Sequence, residues 1–409
     1  MRSFDIPEFY KSPIISQVKA HRKAQDPRKQ DFSPTLLDFG GVRIQLARHF
    51  GFCFGVENAI EISYKAISEN PGRRIFLLSQ MIHNPEVNDD LQSRGVRFLQ
   101  DPSGHSLVSM DALTAEDVVI VPAFGTTVEM AAALEAKGVD VQTYNTTCPF
   151  VEKVWKRSAQ LGGEDYTVII HGKPTHEETR ATFSHAATSG HALVVKDGEE
   201  AEFLAQWMVS RLGGAEAFWK VFAGRTSSDF DPLVHLERVG VVNQTTMLAS
   251  DTQAIADRIA AAVRERGQGE FANTRDTLCY ATNDNQSATM GALDAGGADV
   301  ALVVGGYNSS NTSHLVELCE ARVPTFFIRN ELEWKEDGLH HFDIHTGRMN
   351  LTPHPLPTSG LAGIPTVLIT SGASCPDASV ERVLRKVLAC YNSGHDVDAV
   401  LTEFGRLQG

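Results

Sequence analysis

Cysteine is scarce and scattered: six residues in 409, at positions 53, 148, 279, 319, 375 and 390, with no CxxC pair among them. That spread argues against a disulfide framework and leaves isolated metal ligands or core thiols. Long apolar runs are missing too, and none nears the roughly 20 residues that cross a bilayer as a helix. Basic charge is in short supply, with 37 Lys and Arg against 51 Asp and Glu and a net charge of −14. A nucleic-acid partner is therefore not expected, because binding that polymer rests on neutralising phosphates. No phosphate loop of the Walker or GxGxxG kind occurs, so a nucleotide is not the obvious ligand. The first 40 residues lack the apolar core of a signal segment and carry Asp5, Glu8, Asp26, Asp31 and Asp38, unlike acid-poor transit segments. A cytoplasmic protein is the expectation.

What is present is an ordinary globular composition, 42% hydrophobic and 22% charged, in a chain long enough for two or three domains. Short β-branched strand cores recur at 42–47, 75–78, 118–121, 168–170, 240–242, 300–304, 325–328 and 367–369. Helical periodicity lies between them, as at Val56, Ile60, Tyr64 and Ile67. The alternation predicts an α/β fold with parallel-rich sheets, whose ligands gather at the carboxyl ends of strands. Intervals of 95 positions from Cys53 to Cys148 and 96 from Cys279 to Cys375 suggest three comparable α/β units. The division drawn from them is an N-terminal extension 1–41, domains at 42–146, 147–277 and 278–387, and a tail at 388–409. Insertions fall near 199–232 and 330–363, the second loop-like, with His340, His341, His345 and His354 read as surface loop residues.

Three cysteines stand between a strand and a helix start: Gly51-Phe52-Cys53-Phe54-Gly55, Thr147-Cys148-Pro149, and Leu278-Cys279-Tyr280. The positive end of a helix favours thiolate, and proline is tolerated in a first helical turn. Three soft donors at such places suit a metal with one position left open. Spacing alone does not choose among zinc, an iron–sulfur cluster and plain core thiols. Cys319 and Cys390 sit in apolar helical stretches and read as core thiols; beside Cys375, Ser374 reads as the functional member. Polar clusters close several strands, at Ser79–Pro85, His171–Thr179, Asn243–Thr246 and Tyr307–Asn311. Hydroxyls, amides and free backbone N–H groups there make anion cradles, or simply helix caps such as Ser310.

Taken together and in order, GFCFGV, IHNPEV, PAFG, TTCPFVEKV, THEET, NQTTM, CYATNDNQ, NSSNTSHL and SGASCPD resemble the 4-hydroxy-3-methylbut-2-enyl diphosphate reductases. The resemblance runs from about Val42 to Cys390. It implies three α/β domains in a pseudo-threefold trefoil around one [4Fe-4S] cluster, with Cys53, Cys148 and Cys279 as its ligands. It further implies that the substrate hydroxyl meets the open iron, that Glu178 supplies a proton, and that Thr245 belongs to the hydroxyl network beside it. His83, His176, Ser309, Ser310, Asn311 and Ser374 would hold the diphosphate. The implied reaction removes the C4 hydroxyl with two electrons and two protons, giving isopentenyl and dimethylallyl diphosphates, the last step of the methylerythritol phosphate route. Electrons would come from ferredoxin or flavodoxin, docked on a basic patch such as Lys153, Lys156 and Arg157. In one place the sequence departs from many members: Pro122-Ala123-Phe124-Gly125 stands where they have a SAHG-like histidine motif, as in plant and cyanobacterial members. Phe124 cannot donate to diphosphate, and Thr126 or Thr127 is the suggested replacement. An iron–sulfur dehydratase, a three-cysteine zinc hydrolase acting on a small phosphorylated substrate, and a non-catalytic diphosphate-binding module are the competing readings.

Overall fold

The computed structural model describes residues 4–272, 274, 277–361, 363–391, 397 and 399–401, so most of the expected tail at 388–409 lies outside it. The chain divides into two compact units. One holds residues up to Glu57, His83–Pro85 and the chain from Tyr280 onward; the other holds Asn58–Ile82 and Glu86–Cys279.

The first unit opens with α1 (Pro13–Gln25), capped by the Ser12 hydroxyl, which accepts from the Ile15 N–H, with proline at its first position. An antiparallel pair follows, β1 (Thr35–Asp38) and β2 (Arg43–Leu46), and then the turn into α2 (Phe54–Glu69). Gly51 makes that turn with φ of +82°, and a Cβ there would lie 2.2 Å from Asp377 and 2.8 Å from Lys19, which form an ion pair of 2.7 Å. The backbone angle calls for glycine, and a Cβ would also have to push aside the ends of the Asp377 and Lys19 side chains. Gly51→Ala is therefore expected to destabilise the fold by about 1–3 kcal/mol, read as a lower thermal midpoint. An unchanged midpoint would remove this steric role.

The chain continues through β3 (Ile75–Leu77), α3 (Pro85–Ser93), β4 (Val96–Phe98), β5 (Val118–Ile120) and α4 (Val128–Glu135). Next come α5 (Pro149–Gly163), β6 (Thr167–His171), α6 (Glu177–Ala187), β7 (Ala192–Val195), α7 (Gly198–Ser210), α8 (Gly214–Phe222), β8 (Arg238–Asn243), α9 (Ala249–Arg266) and β9 (Glu270–Phe271). Within the second unit these strands form two all-parallel sheets, ordered β4-β3-β5 and β7-β6-β8-β9. The stretch near 199–232 folds largely as α7 and α8, burying Trp207, Phe218 and Phe222 in one apolar cluster with Leu193 and Val241.

Back in the first unit lie α10 (Tyr280–Ala295), β10 (Val300–Val304), α11 (Ser310–Glu320), β11 (Thr325–Ile328), β12 (Trp334–Lys335), β13 (Gly338–Asp343), β14 (Arg348–Thr352), β15 (Thr366–Ser371) and α12 (Asp377–Cys390). Its sheet runs β1-β2-β15-β10-β11-β13-β12, with β14 on β13. The centre, β2 to β11, is parallel and the margins are antiparallel. Val300, Leu302 and Val304 enter one core and Ala301 and Val303 another, the period-2 signature of a strand covered on both faces. The α/β fold class with parallel-rich sheets is as expected. Helix α1 ties onto α12 through Ser12 to Glu381 (2.5 Å) and Lys19 to Asp377.

Three local expectations are corrected. The stretch 330–363 is not all loop but contains an antiparallel hairpin, β13–β14, where Phe342 stacks on Tyr307 at 4.7 Å and holds the segment on the sheet margin. His340, His341 and His345 lie on or beside that hairpin, bonded to Asp337, Thr352 and Glu320. Cys390 is exposed: it is the last residue of α12, beyond the buried stripe of Val380, Val383, Leu384 and Val387; Cys319 is fully buried as expected. Ser309, not Ser310, caps α11. No helix among the described residues is long and apolar enough to cross a membrane.

Candidate active site

In the second unit, β6 ends at His171 and a short loop delivers His176 as the cap of α6. Glu178, in the first turn of that helix, is 1% exposed. Thr245, just past the end of β8, donates its N–H to Glu178 Oε1 (2.5 Å) and its hydroxyl to Oε2 (3.0 Å). Gln244 stitches the two loops together, its Oε1 accepting from the Lys173 N–H (3.1 Å) and the Thr179 hydroxyl (3.0 Å). Burial pushes the Glu178 carboxyl up to about 7 even though both Thr245 donors favour the charged form. The group is thus poised to hold or release a proton near neutrality.

The Cys279 N–H donates to the Thr245 carbonyl at 3.1 Å, so the cysteine hangs from the residue that grips Glu178. Cys148 caps α5, with Pro149 behind it, as expected. The expected thiolate is not favoured at the free thiol: burial pushes it up to about 11. The Phe150 and Val151 N–H groups pull the other way and are outweighed, and charge on Cys279 or Glu178 raises it further. A bound metal cation would reverse that balance. His176 Nδ1 accepts from the Glu178 N–H at 3.1 Å, and the Phe124 ring lies 5.5 Å from the imidazole at 82°. Thr127 is engaged as the cap of α4; with Thr126, Ser79, Glu177 and Arg180 it lines a cavity of about 150 Å³.

In the first unit, Cys53 precedes α2, and its N–H donates to the Ala373 carbonyl at 3.1 Å. The Ala373 N–H donates to Asn311 Oδ1 (2.9 Å), and the Ser374 hydroxyl to the His83 carbonyl (3.4 Å). The structure thus brings Cys53, His83, Ser374 and the Ser309–Asn311 turn together. Ser310 Oγ, Asn311 Nδ2 and His314 Nε2 are all buried with no hydrogen-bond partner. Buried polar atoms are normally satisfied, so three orphans in the first turns of one helix mark a place built for a polar ligand. The sequence reading missed His314, although its spacing four residues after Ser310 puts both on one helix face. The Phe54 N–H, next to Cys53, donates to the hydroxyl of Tyr280, next to Cys279, at 3.2 Å. Among the described residues, no group of three or more His, Cys, Asp or Glu side chains stands assembled as a metal site.

Strand-end thiols and a buried carboxyl near neutrality in one unit, and unpaired polar donors at a helix start in the other, are features of an α/β enzyme. A family model described as LytB protein matches residues 44–388. The 4-hydroxy-3-methylbut-2-enyl diphosphate reductase of Parasynechococcus marenigrum (strain WH8102) is 38% identical over 364 residues, covering 87% of this chain and 88% of the relative. That of Synechococcus sp. (strain RCC307) is 39% identical over 361 residues, covering 87% and 86%. A solved (E)-4-hydroxy-3-methyl-but-2-enyl diphosphate reductase, the terminal enzyme of the non-mevalonate pathway, aligns at 25% identity with a TM-score of 0.51, covering 85% of this chain and 99% of that one. The Plasmodium falciparum E-1-hydroxy-2-methyl-but-2-enyl-4-diphosphate reductase, at 19% identity, shares the fold with a TM-score of 0.62 over 90% and 99%. The chain belongs to the LytB family of 4-hydroxy-3-methylbut-2-enyl diphosphate reductases.

Proposed function

We propose that the chain removes the C4 hydroxyl of (E)-4-hydroxy-3-methylbut-2-enyl diphosphate with two electrons and two protons, giving isopentenyl or dimethylallyl diphosphate and water. It is an oxidoreductase of isoprenoid biosynthesis, acting at the end of the methylerythritol phosphate route. The observation that carries the residue-level reading is Glu178, buried between two Thr245 donors and held near neutrality. A protonated carboxyl there lets the hydroxyl leave as water rather than hydroxide. Thr245 fixes which way the carboxyl faces and relays through its own hydroxyl.

Cys53, Cys148 and Cys279 fit one [4Fe-4S] cluster: they are soft donors, three in number, and the Phe54–Tyr280 bond and the Cys148–Cys279 interaction both support their acting together. When bound, the cluster supplies single electrons and a Lewis-acidic iron. The diphosphate falls to His83, His176, Ser309, Ser310, Asn311 and Ser374, supported by the orphaned Ser310 and Asn311 donors. Anaerobic assay of donor oxidation against product formation, with iron and sulfide analysis, tests the whole reading. Loss of water from the substrate to a non-reduced product, with no donor oxidation, would indicate a dehydratase, and stoichiometric zinc a hydrolase.

The donor is ferredoxin or flavodoxin, and the setting cytoplasmic. Lys153 and Lys156 are exposed on α5, with Arg157 beside them bonded to Gln160 (2.8 Å), on the helix that Cys148 opens. Reversing all three charges is expected to lower donor-dependent kcat/KM by roughly tenfold at low salt, with dye-driven turnover intact. Equal loss with both donors would count against docking there.

A further inference from the structure

We propose that Phe124, which offers no polar atom to the substrate, is the positioning residue that holds the His176 imidazole as an Nε2–H donor; this rests on His176 being a diphosphate ligand. His176 Nδ1 accepts the Glu178 N–H at 3.1 Å. A ring nitrogen that accepts carries no hydrogen, so the neutral ring bears its hydrogen on Nε2. That hydrogen bond fixes the tautomer, and the plane of the ring is set by what packs against it. The Phe124 ring, 5.5 Å away and nearly perpendicular at 82°, makes such a contact.

Phe124 can do this because its own loop is anchored. The Ala123 carbonyl accepts from the Cys148 N–H at 3.0 Å, and the Gly125 N–H closes a turn on the Pro122 carbonyl at 2.9 Å. Gly125 has φ of +77°, and a Cβ there would lie 2.4 Å from the Trp155 ring, so the turn is pressed against α5. One rigid path thus runs from Cys148 through Phe124 to His176 and on to the backbone of Glu178. Phenylalanine at 124 keeps one diphosphate donor in place instead of being a donor itself.

The test uses the holoenzyme and three variants, Phe124→Leu, Phe124→Tyr and His176→Gln. The His176 ring nitrogens, assigned by their loss in His176→Gln, are expected to report an Nε2–H tautomer by ¹⁵N NMR. In Phe124→Leu that signal shifts or broadens, KM and the inhibition constant of inorganic diphosphate rise by roughly three- to tenfold, and kcat changes less; Phe124→Tyr restores all of these. Diphosphate inhibition weakened by His176→Gln but untouched by Phe124→Leu, with the tautomer unchanged, overturns the positioning role alone. Inhibition unaltered in His176→Gln removes the ligand assignment and the proposal with it.

Discussion

Glutamine at position 178 is expected to slow turnover by roughly a hundred- to ten-thousandfold while iron, sulfide and substrate affinity hold. The amide is isosteric and keeps both Thr245 contacts, its oxygen accepting from the N–H and its nitrogen donating to the hydroxyl. Only the transferable proton is lost. Because the carboxyl is pushed up to about 7, wild-type activity should be full on the acid side and fall as pH rises through that value. The variant's small residual rate should show no such limb. Stability runs in a linked direction. A carboxyl raised from 4.5 in the unfolded chain to about 7 in the fold exacts nothing below pH 4.5, a growing penalty up to 7 and a constant one above. That penalty is about 3 kcal/mol, so Glu178→Gln should melt higher than wild type at pH 8 and equally near pH 4. Equal turnover, or equal melting at pH 8, would each contradict the environment described for this group.

Serine at Cys53, Cys148 or Cys279 is expected to remove the visible cluster absorption, the sulfide and turnover together, the last by about a thousandfold or more. The hard hydroxyl is a poor substitute for thiolate toward iron. At Cys148 a metal must first draw the proton from a thiol pushed up to about 11, so cluster assembly there should quicken with pH. Serine at Cys390, exposed, or alanine at Cys319, buried among Leu315 and Val316, should leave iron and sulfide unchanged. Cys375 is fully buried with its Sγ 3.6 Å from the Pro376 carbonyl, and its removal should affect folding rather than metal. A full cluster in any one of the three serine variants would strike that ligand from the set.

Local pattern carried much of the fold into view. The strand cores at 300–304 and 325–328 stand where the β-branched runs put them, and Cys148-Pro149 opens a helix as proline chemistry dictates. Pairings across distance were not legible that way. Glu178 and Thr245 lie 67 residues apart, and only the resemblance to a family placed them together before the hydrogen bonds did. The 338–352 hairpin escaped because its turn residues outweighed its strand pattern until Tyr307 provided a partner for Phe342. Ser309 and Ser310 are equal as caps in sequence; the backbone chose the first and left the second's hydroxyl without a partner. His314 shows itself only when burial reveals an unsatisfied nitrogen.

The pairing of β2 with β15 has a consequence for how the chain is made. Arg43–Leu46 must wait for Thr366–Ser371, some 320 residues downstream, before its second edge is covered. At roughly 5–20 residues per second, a ribosome takes between about a quarter of a minute and a minute to deliver that strand. Meanwhile the whole stretch from Asn58 to Cys279 has emerged and can fold first. During that interval the β1–β2 ribbon hangs from the nascent chain with an open, apolar strand edge, a natural client for a chaperone.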